Sequence, residues 1–179
     1  MIETISLKNS FLIAMPTMNN YASFHQAVVY IYEHTEQGTL GVVINKPLNT
    51  LVIELLRHLK IQVKDKSIKE QVVLFGGPVA QDLGLIIYST DDQNIVISPA
   101  KEMLYALAAG RAPRNTVIAL GYAGWARGQL EGEIQRNCWL VAPPNFEIMF
   151  DLPLEMRWQA AAASIGIDLN RVAYGIGHA

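Results

Sequence analysis

Short apolar runs rich in β-branched residues recur along the whole chain, and this recurrence is the strongest constraint on its fold. Each run is stopped by glycine, proline or a polar segment, which is typical of β-strands. The runs are Phe11–Met15, Val28–Tyr32, Leu40–Ile44, Val72–Phe75, Gly84–Tyr88, Ile95–Ile97, Thr116–Leu120 and Cys138–Ala142. The second and third predict an antiparallel hairpin, because only a polar turn from Glu33 to Gly38 and one further residue separate them.

Helical spacing of apolar residues interrupts this series of strands. Leucines at positions 51, 55, 56 and 59 predict a helix that Asn49 or Thr50 would cap. Further helices are predicted over residues 98–110, 129–137 and 153–166. Because the hairpin is antiparallel and the later strands alternate with helices, the sequence predicts an α+β fold with a mixed sheet and helices packed against it.

Length and composition favour one domain, residues 1–179. No run approaches the roughly 18 apolar residues of a membrane span. The first ten residues lack the basic and apolar regions of a secretory signal. Cys138 is the only cysteine, so no intramolecular disulfide can form. We therefore expect a cytoplasmic protein with no membrane partner, and the sequence leaves its oligomeric state open.

The charge of the chain argues against direct, sequence-specific DNA binding. Its formal net charge is −2, whereas proteins that hold the phosphate backbone usually carry a basic patch. The one local enrichment consists of lysines at positions 60, 64, 66 and 69, interrupted by Asp65 and Glu70. We interpret this stretch as a solvated loop.

The sequence contains no signature of a metal site or of a known nucleophile. Histidines stand at positions 25, 34, 58 and 178, and no pair has zinc-motif spacing. A Gly-x-Ser-x-Gly elbow is absent, and Cys138 begins an apolar strand where a thiol is usually inert. We predict no metal and no cofactor, and the catalytic residues stay unknown.

A few polar residues are candidates for a ligand site. Glu33 and His34 place a carboxylate beside an imidazole, a pair suited to acid–base chemistry. The competing interpretation is a polar hairpin turn, since adjacent strand residues point to opposite faces. Asn45 and His178 could share a pocket with them, and convergence of these side chains would favour a ligand site or an enzyme.

The segment from Leu120 to Glu131 carries the best-defined candidate site. A strand is predicted to pass through a glycine-rich turn into a helix, whose N-terminus would favour an anion. Gly121 and Gly124 would let the backbone approach a ligand, while Trp125, Arg127 and Gln129 would offer a stacking surface and polar groups. The competing interpretation is a tight structural turn with the tryptophan buried in the core.

Several short motifs occur in one order along nearly the whole chain. They are Phe11–Pro16, Glu33-His34, Gly41–Pro47, Gly76–Pro78, Leu120–Trp125, Gly128–Glu131, Arg157-Trp158 and Gly177–Ala179. The ordered set resembles the YqgE/AlgH family of bacterial proteins. The resemblance implies an α+β fold whose mixed sheet curls into a partial barrel. It also brings the family label of transcriptional regulator, but no agreed catalytic residues.

The chain departs from the family pattern at three positions. Tyr32 stands where Cys is common, Leu83 replaces a frequent Arg, and Tyr88 replaces a frequent His. Any site that depends on those groups is therefore in doubt for this chain.

These observations favour a regulatory or ligand-binding protein that takes a small anionic ligand or a protein partner. The alternative is an enzyme that uses Glu33, His34 and His178 in a polar cleft. A structural protein-interaction module is the third candidate. The docking of the C-terminal residues 176–179 is a further expectation, because the resemblance extends to Ala179.

Overall fold

The computed structural model describes residues 5–98 and 101–175. Within these ranges the chain forms nine strands and six α-helices. The strands are β1 Ser10–Ala14, β2 Val28–Thr35, β3 Gly38–Val43, β4 Pro47–Leu51, β5 Val72–Phe75, β6 Val79–Ser89, β7 Ile95–Ser98, β8 Thr116–Ala126 and β9 Trp139–Ala142. The helices are α1 Val52–His58, α2 Lys101–Ala108, α3 Gln129–Gln135, α4 Phe146–Phe150, α5 Arg157–Ala163 and α6 Leu169–Gly175. The predicted α+β class with a mixed sheet is confirmed.

All nine strands belong to one mixed sheet. Its main path runs β4-β5-β8-β3-β2-β1-β9, and β6 joins β8 to the outer strand β7. The β5–β8 pair is parallel, whereas every other pair among the described strands is antiparallel. Within the described residues β4 and β9 do not pair, so the sheet stays open and "partial barrel" describes it only loosely.

Strand β8 is the centre of the sheet, and a backbone irregularity divides it in two. Its first half pairs with β5 and β6, and its second half pairs with β3. Gly121 lies between them with φ +79°, a conformation that residues with a Cβ rarely adopt. Ile118 and Trp125, on either side of Gly121, belong to different apolar clusters, so both halves of the strand bury side chains.

Helices cover the sheet through three apolar clusters. The largest places Trp158 and Ala161 of α5 against strand residues such as Val28. A second contains Trp125 and Trp139 with Leu130 of α3. The third joins Leu56 of α1 and Leu107 of α2 to Val73 and Ile118 of the sheet. Helix packing thus follows from the apolar faces that the sequence shows.

Strands β2, β6 and β8 extend well beyond their apolar runs. The structure extends β2 to Thr35 and leaves only a turn at positions 36 and 37, so Glu33 and His34 lie in a strand and not in the predicted hairpin turn. The irregular pairing between Ile31 and Glu33 allows this extension. Likewise, β8 continues through the segment that was predicted to be a glycine-rich turn.

The start of the first helix also differs from its prediction. Pro47–Leu51 forms β4, a strand that the sequence does not indicate. Helix α1 therefore begins after Leu51, whose backbone N–H donates to the carboxylate of Glu54 at 2.8 Å, and neither Asn49 nor Thr50 is its cap. The second helix was predicted to begin at Ser98, which instead ends β7; residues 99 and 100 lie outside the described residues, and α2 is described from Lys101.

Candidate functional site

A cleft opens between α1 and α2 above strands β6 and β8, and we call it the α1–α2 cleft. Its volume is about 440 Å³. It is lined by Leu55, Leu59, Ile61, Asp82, Leu83, Gly84, Ile86, Lys101, Leu104, Tyr105, Ile118 and Leu120. Cavities of roughly 300–1,000 Å³ commonly hold small ligands. The α1–α2 cleft therefore has the size of a small-molecule site.

Periodicity explains how these side chains come to share one cleft. Leu55 and Leu59 are four residues apart on α1, and Lys101, Leu104 and Tyr105 have the spacing of one face of α2. The two helices thus turn apolar faces toward each other across the sheet. Their packing in the third apolar cluster leaves the ends of these faces uncovered.

The cleft is closed and apolar at its floor and partly open at its rim. Ile118 at the floor is 1% exposed, whereas Leu59 and Tyr105 at the rim are 47% and 53% exposed. Asp82 and Lys101 are the charged lining residues, and both are exposed. A ligand would therefore place an apolar body on the floor and a polar group near the solvent.

Trp125 has a structural environment in the second apolar cluster. It is 5% exposed, and its ring centroid lies 5.9 Å from that of Trp139 and 6.2 Å from that of Phe24. The indole N–H groups of both tryptophans donate to Oε2 of Glu133, at 2.9 and 2.8 Å. This geometry supports the competing interpretation that Trp125 belongs to the core.

Gln129 completes the same hydrogen-bond network. Its amide donates to Oε1 of Glu133 at 3.1 Å, and its Oε1 accepts the backbone N–H of Ala126 at 2.9 Å. The turn from β8 to α3 is confined to Arg127 and Gly128, and α3 has only seven residues. Of the five predicted residues in this segment, Gly124, Arg127 and Gln129 are exposed, while Gly121 and Trp125 are buried.

His34 is separated from Glu33 and paired with a different carboxylate. Nδ1 of His34 accepts the backbone N–H of Leu7 at 3.0 Å, and Nε2 lies 3.1 Å from Oε1 of Glu131. The acceptor role of Nδ1 assigns the proton of the neutral ring to Nε2. Both ring nitrogens are thus occupied, and the His34 side chain is only 6% exposed, whereas Glu33 is exposed.

The predicted site residues do not converge on one cleft. Asn45 stabilises the hairpin, because Oδ1 accepts the N–H of Val28 and Nδ2 donates to the carbonyl of Gln26, both at 2.8 Å. His34, Trp125 and Gln129 lie together beside α3, where hydrogen bonds and rings fill the space. His178 lies outside the described residues. None of the predicted residues within residues 5–98 and 101–175 lines the α1–α2 cleft.

The cleft residues escaped sequence analysis because they look like ordinary core residues. Leu55, Leu59 and Leu104 carry the same periodicity as the buried residues beside them. Only the three-dimensional arrangement reveals which members of each apolar face are left uncovered. The signal that could have pointed to the cleft is a charged Lys101 at helical spacing from two apolar residues.

Comparisons with known proteins agree with the resemblance in sequence. The chain matches the family described as AlgH-like over residues 11–170. A UPF0301 protein of Coxiella burnetii strain Dugway 5J108-111 is 45% identical, with all of both chains covered. The chain belongs to the AlgH-like family.

Solved structures extend this assignment to the fold. The solution structure of the AlgH protein from Pseudomonas aeruginosa matches with a TM-score of 0.77 at 38% identity, covering 100% of this chain and 99% of that one. A crystal structure from Corynebacterium diphtheriae has a TM-score of 0.71 at 21% identity, covering 94% of this chain and 92% of that one, and shares the fold.

The glycine motifs of this AlgH-like chain have a structural explanation. A Cβ on Gly121 would collide with the carbonyl oxygen of Gly77, and a Cβ on Gly77 would collide with the backbone of Tyr122. The Gly76–Pro78 and Leu120–Trp125 motifs therefore meet where the residues that follow β5 run beside β8. Gly77 and Gly121 are required by this close approach of two backbones.

The Arg157-Trp158 motif of the AlgH-like chain anchors α5 to the sheet. Nη1 of Arg157 donates to the carbonyl of Ile44 at 2.7 Å, and Nε donates to that of Leu152 at 2.9 Å. Burial lowers the pKa of the guanidinium to about 10, and Asp151 opposes this shift, so Arg157 stays charged at neutral pH. The indole of Trp158 donates to the carbonyl of Ala14 at 2.8 Å.

The described residues contain neither a cluster of metal-binding side chains nor a membrane-spanning helix. Within residues 5–98 and 101–175, no three His, Cys, Asp or Glu side chains form a group that could hold a metal ion. No helix in these ranges combines the length and apolar character needed to cross a membrane.

Of the three departures from the family pattern, Leu83 lies at the rim of the α1–α2 cleft and adds apolar surface there.

Proposed function

We propose that this AlgH-like protein binds a small ligand in the α1–α2 cleft, and that the ligand carries an apolar body and one anionic group. The observation that carries the proposal is the contrast between the buried floor at Ile86 and Ile118 and the exposed apolar rim at Leu59 and Tyr105. Apolar surface left in contact with water is stabilised when a matching apolar ligand covers it.

Lys101 is the reason for expecting an anionic group on the ligand. It is the first described residue of α2 and lines the cleft, so its ammonium and the positive end of the helix dipole lie on the same side. Asp82 also lines the cleft and would accept a hydrogen bond from a hydroxyl or amine elsewhere on the ligand. A regulatory role follows if ligand binding changes how the exposed rim meets a protein partner.

The enzyme alternative has less support from the described residues. His34 already uses both ring nitrogens, and Glu33 lies elsewhere, so the acid–base pair predicted from the sequence does not face the α1–α2 cleft. A structural module would need an apolar surface but not a cavity with a closed floor. Small-ligand binding is therefore the function that the geometry favours.

Two glycine-to-valine variants test the proposal. At Gly84 an added Cβ would meet only Leu120 Cδ2 at 3.9 Å, so Gly84→Val should fold and place its side chain in the cleft. At Gly124 an added Cβ would meet Tyr122 at 3.6 Å and Leu40 at 3.8 Å, so Gly124→Val is a matched control outside the cleft.

The measurement is thermal unfolding with octanoate, octanol and octylamine as probes. At ten times its Kd, octanoate should stabilise the wild type by about 1.4 kcal/mol, or about 3–6 °C. Gly84→Val should abolish the shift and Gly124→Val should keep it, while Lys101→Gln should weaken octanoate more than octanol. Loss of the shift in Gly124→Val alone would instead support the segment from Gly121 to Gln129.

A further inference from the structure

A second cleft lies on the other flank of α1, and its chemistry is the opposite of the first. We call it the basic cleft. Its volume is about 460 Å³. It is lined by Ile53, Arg57, Ile61, Gln62, Val63, Lys64, Asp65, Lys66 and Lys69. Ile53 and Arg57 lie about 200° around the helix from Leu55 and Leu59, so α1 separates the two clefts.

Four cations line this cleft, and none of them has a carboxylate within 4.0 Å among the described residues. The ion pairs within 4.0 Å in the described part of the chain are His34–Glu131 and Arg171–Asp168, and neither involves the basic cleft. The chain has 14 Lys and Arg residues and a net charge of −2, so four cations around one cavity are a marked local concentration. Their mutual repulsion favours any anion that enters.

The one acidic residue of the basic cleft is engaged elsewhere. Oδ1 of Asp65 accepts the backbone N–H of Ser67 at 2.8 Å. Hydrogen bonds from the Ser67 side chain and backbone lower the pKa of this carboxyl, so it stays ionised and holds the turn. The cations therefore outnumber the single carboxylate at the rim of the cavity.

The loop that carries the lysines is fixed to the core. The N–H groups of Lys64 and Asp65 both donate to the carbonyl of Ala108, at 2.7 and 3.1 Å. Ile61 and Ile68 are buried on either side of this anchor. Fixed backbone positions reduce the entropy that the cations lose when they bind an anion together.

We propose that the basic cleft binds a small multivalent phosphate anion, such as the di- or triphosphate group of a metabolite. Arg57 offers a planar fork that can bind phosphate oxygens bidentately, and Lys64, Lys66 and Lys69 supply point charges around it. Several charges in one concave cavity match an anion whose charges are equally close. A long nucleic acid would extend beyond the cavity over a protein of net negative charge.

The test is an NMR titration of the full chain with tripolyphosphate, with orthophosphate as a monomeric comparison. Amide shifts should be confined to residues 57 and 61–69, and tripolyphosphate should bind at least about tenfold tighter because it meets several cations at once. The double variant Lys64→Gln/Lys66→Gln should weaken binding about tenfold or more, since each lost charge removes a phosphate contact.

The matched control removes the same charge from exposed positions elsewhere. Lys8→Gln/Arg136→Gln should keep the wild-type affinity within about twofold, since these positions are outside the basic cleft. Equal weakening by both double variants, or equal affinity for orthophosphate and tripolyphosphate, would overturn the proposal. So would a twelve-nucleotide RNA that binds through Lys64 and Lys66 more tightly than tripolyphosphate does. Loss of octanoate binding in Gly84→Val concerns the other cleft and leaves this test independent.

Discussion

The two halves of strand β8 face different surroundings, although one chain segment forms both. The second half carries Trp125, which is covered by Phe24, Trp139 and helix α3. The first half carries Ile118 and Leu120, which form part of the floor of the α1–α2 cleft. Both Trp125 and Ile118 are buried, but the second half of the strand packs against aromatic rings, whereas the first half lies beneath a cavity.

The difference shows that covering elements, and not the strand itself, decide where a site can form. At the aromatic end, α3 follows β8 after a turn at Arg127 and Gly128 and packs back onto it. At the other end, α1 and α2 come from distant parts of the chain and leave a gap between them. Cavities are common where separate elements meet over a sheet.

Truncating one aromatic residue at each end tests this comparison most directly. Trp125→Ala should destabilise the protein by about 3–5 kcal/mol, the usual range for a large buried aromatic residue. Tyr105→Ala at the cleft rim should cost less than about 1 kcal/mol, because its side chain is half exposed. Urea denaturation measures both values, and similar losses for the two variants would contradict the contrast between the ends.

Substitution of Glu133 should have the next largest effect on stability, because its carboxylate accepts hydrogen bonds from the indoles of both Trp125 and Trp139. Glu133→Ala should lower the free energy of unfolding by about 1–3 kcal/mol, since buried donors lose their acceptor. Glu133→Gln keeps an acceptor oxygen and should lose less. Denaturation followed by tryptophan fluorescence compares the two, and an equal loss in both would show that the hydrogen bonds contribute little.

A polar substitution at the cleft rim should barely alter stability. Leu83 is exposed, so Leu83→Ser should change the free energy of unfolding by no more than about 0.5 kcal/mol. Binding of a hydrophobic dye should nevertheless fall, because the variant removes apolar surface from the cleft. Val141→Ser, at an exposed apolar position on β9, is the control and should leave dye binding unchanged.

Tyr32 on β2 tests the region between the two halves of β8, because it lies near Tyr122 of β8. Burial, with smaller contributions from Tyr122 and Glu33, raises the pKa of Tyr32 from 10.0 to about 12. The Tyr32 phenol ionises at a lower pH in the unfolded chain than in the folded protein. Its contribution to the free energy of unfolding is therefore complete below about pH 10 and is lost as the pH rises to about 12. Tyr32→Phe should flatten that part of the stability curve, and an unchanged alkaline slope relative to wild type would contradict it.

The sequence predicts the fold well where a local pattern is enough. Each β-branched run corresponds to a strand, and the hairpin of β2 and β3 is present. The lengths of β6 and β8 could not be predicted, because Gly84 and Gly121 look like breakers in a single sequence. The close approach of the Gly77 and Gly121 backbones is a tertiary contact that no local sequence pattern encodes.

The site was harder to predict, because the cleft forms where the helices leave apolar side chains uncovered, and a single sequence does not show which side chains these are. Leu59 and Tyr105 are exposed, yet their spacing is that of buried helix residues. The partner of His34 is equally hidden, since Glu131 lies far away in sequence on α3. The sequence alone leaves Trp125 open between a ligand site and the core, because its packing against Phe24 and Trp139 is a tertiary contact.

The position of β1 has a consequence for the protein while it is being made. This early strand lies between β2 and β9, and Phe11 pairs with Ala142 of the edge strand β9, which follows much later in the sequence. At roughly 5–20 residues per second, a ribosome needs on the order of ten seconds to deliver β9 after β1 has emerged. During that interval the apolar edge of β1 is open to other nascent chains, so newly synthesised protein is most vulnerable to aggregation before its last strand arrives.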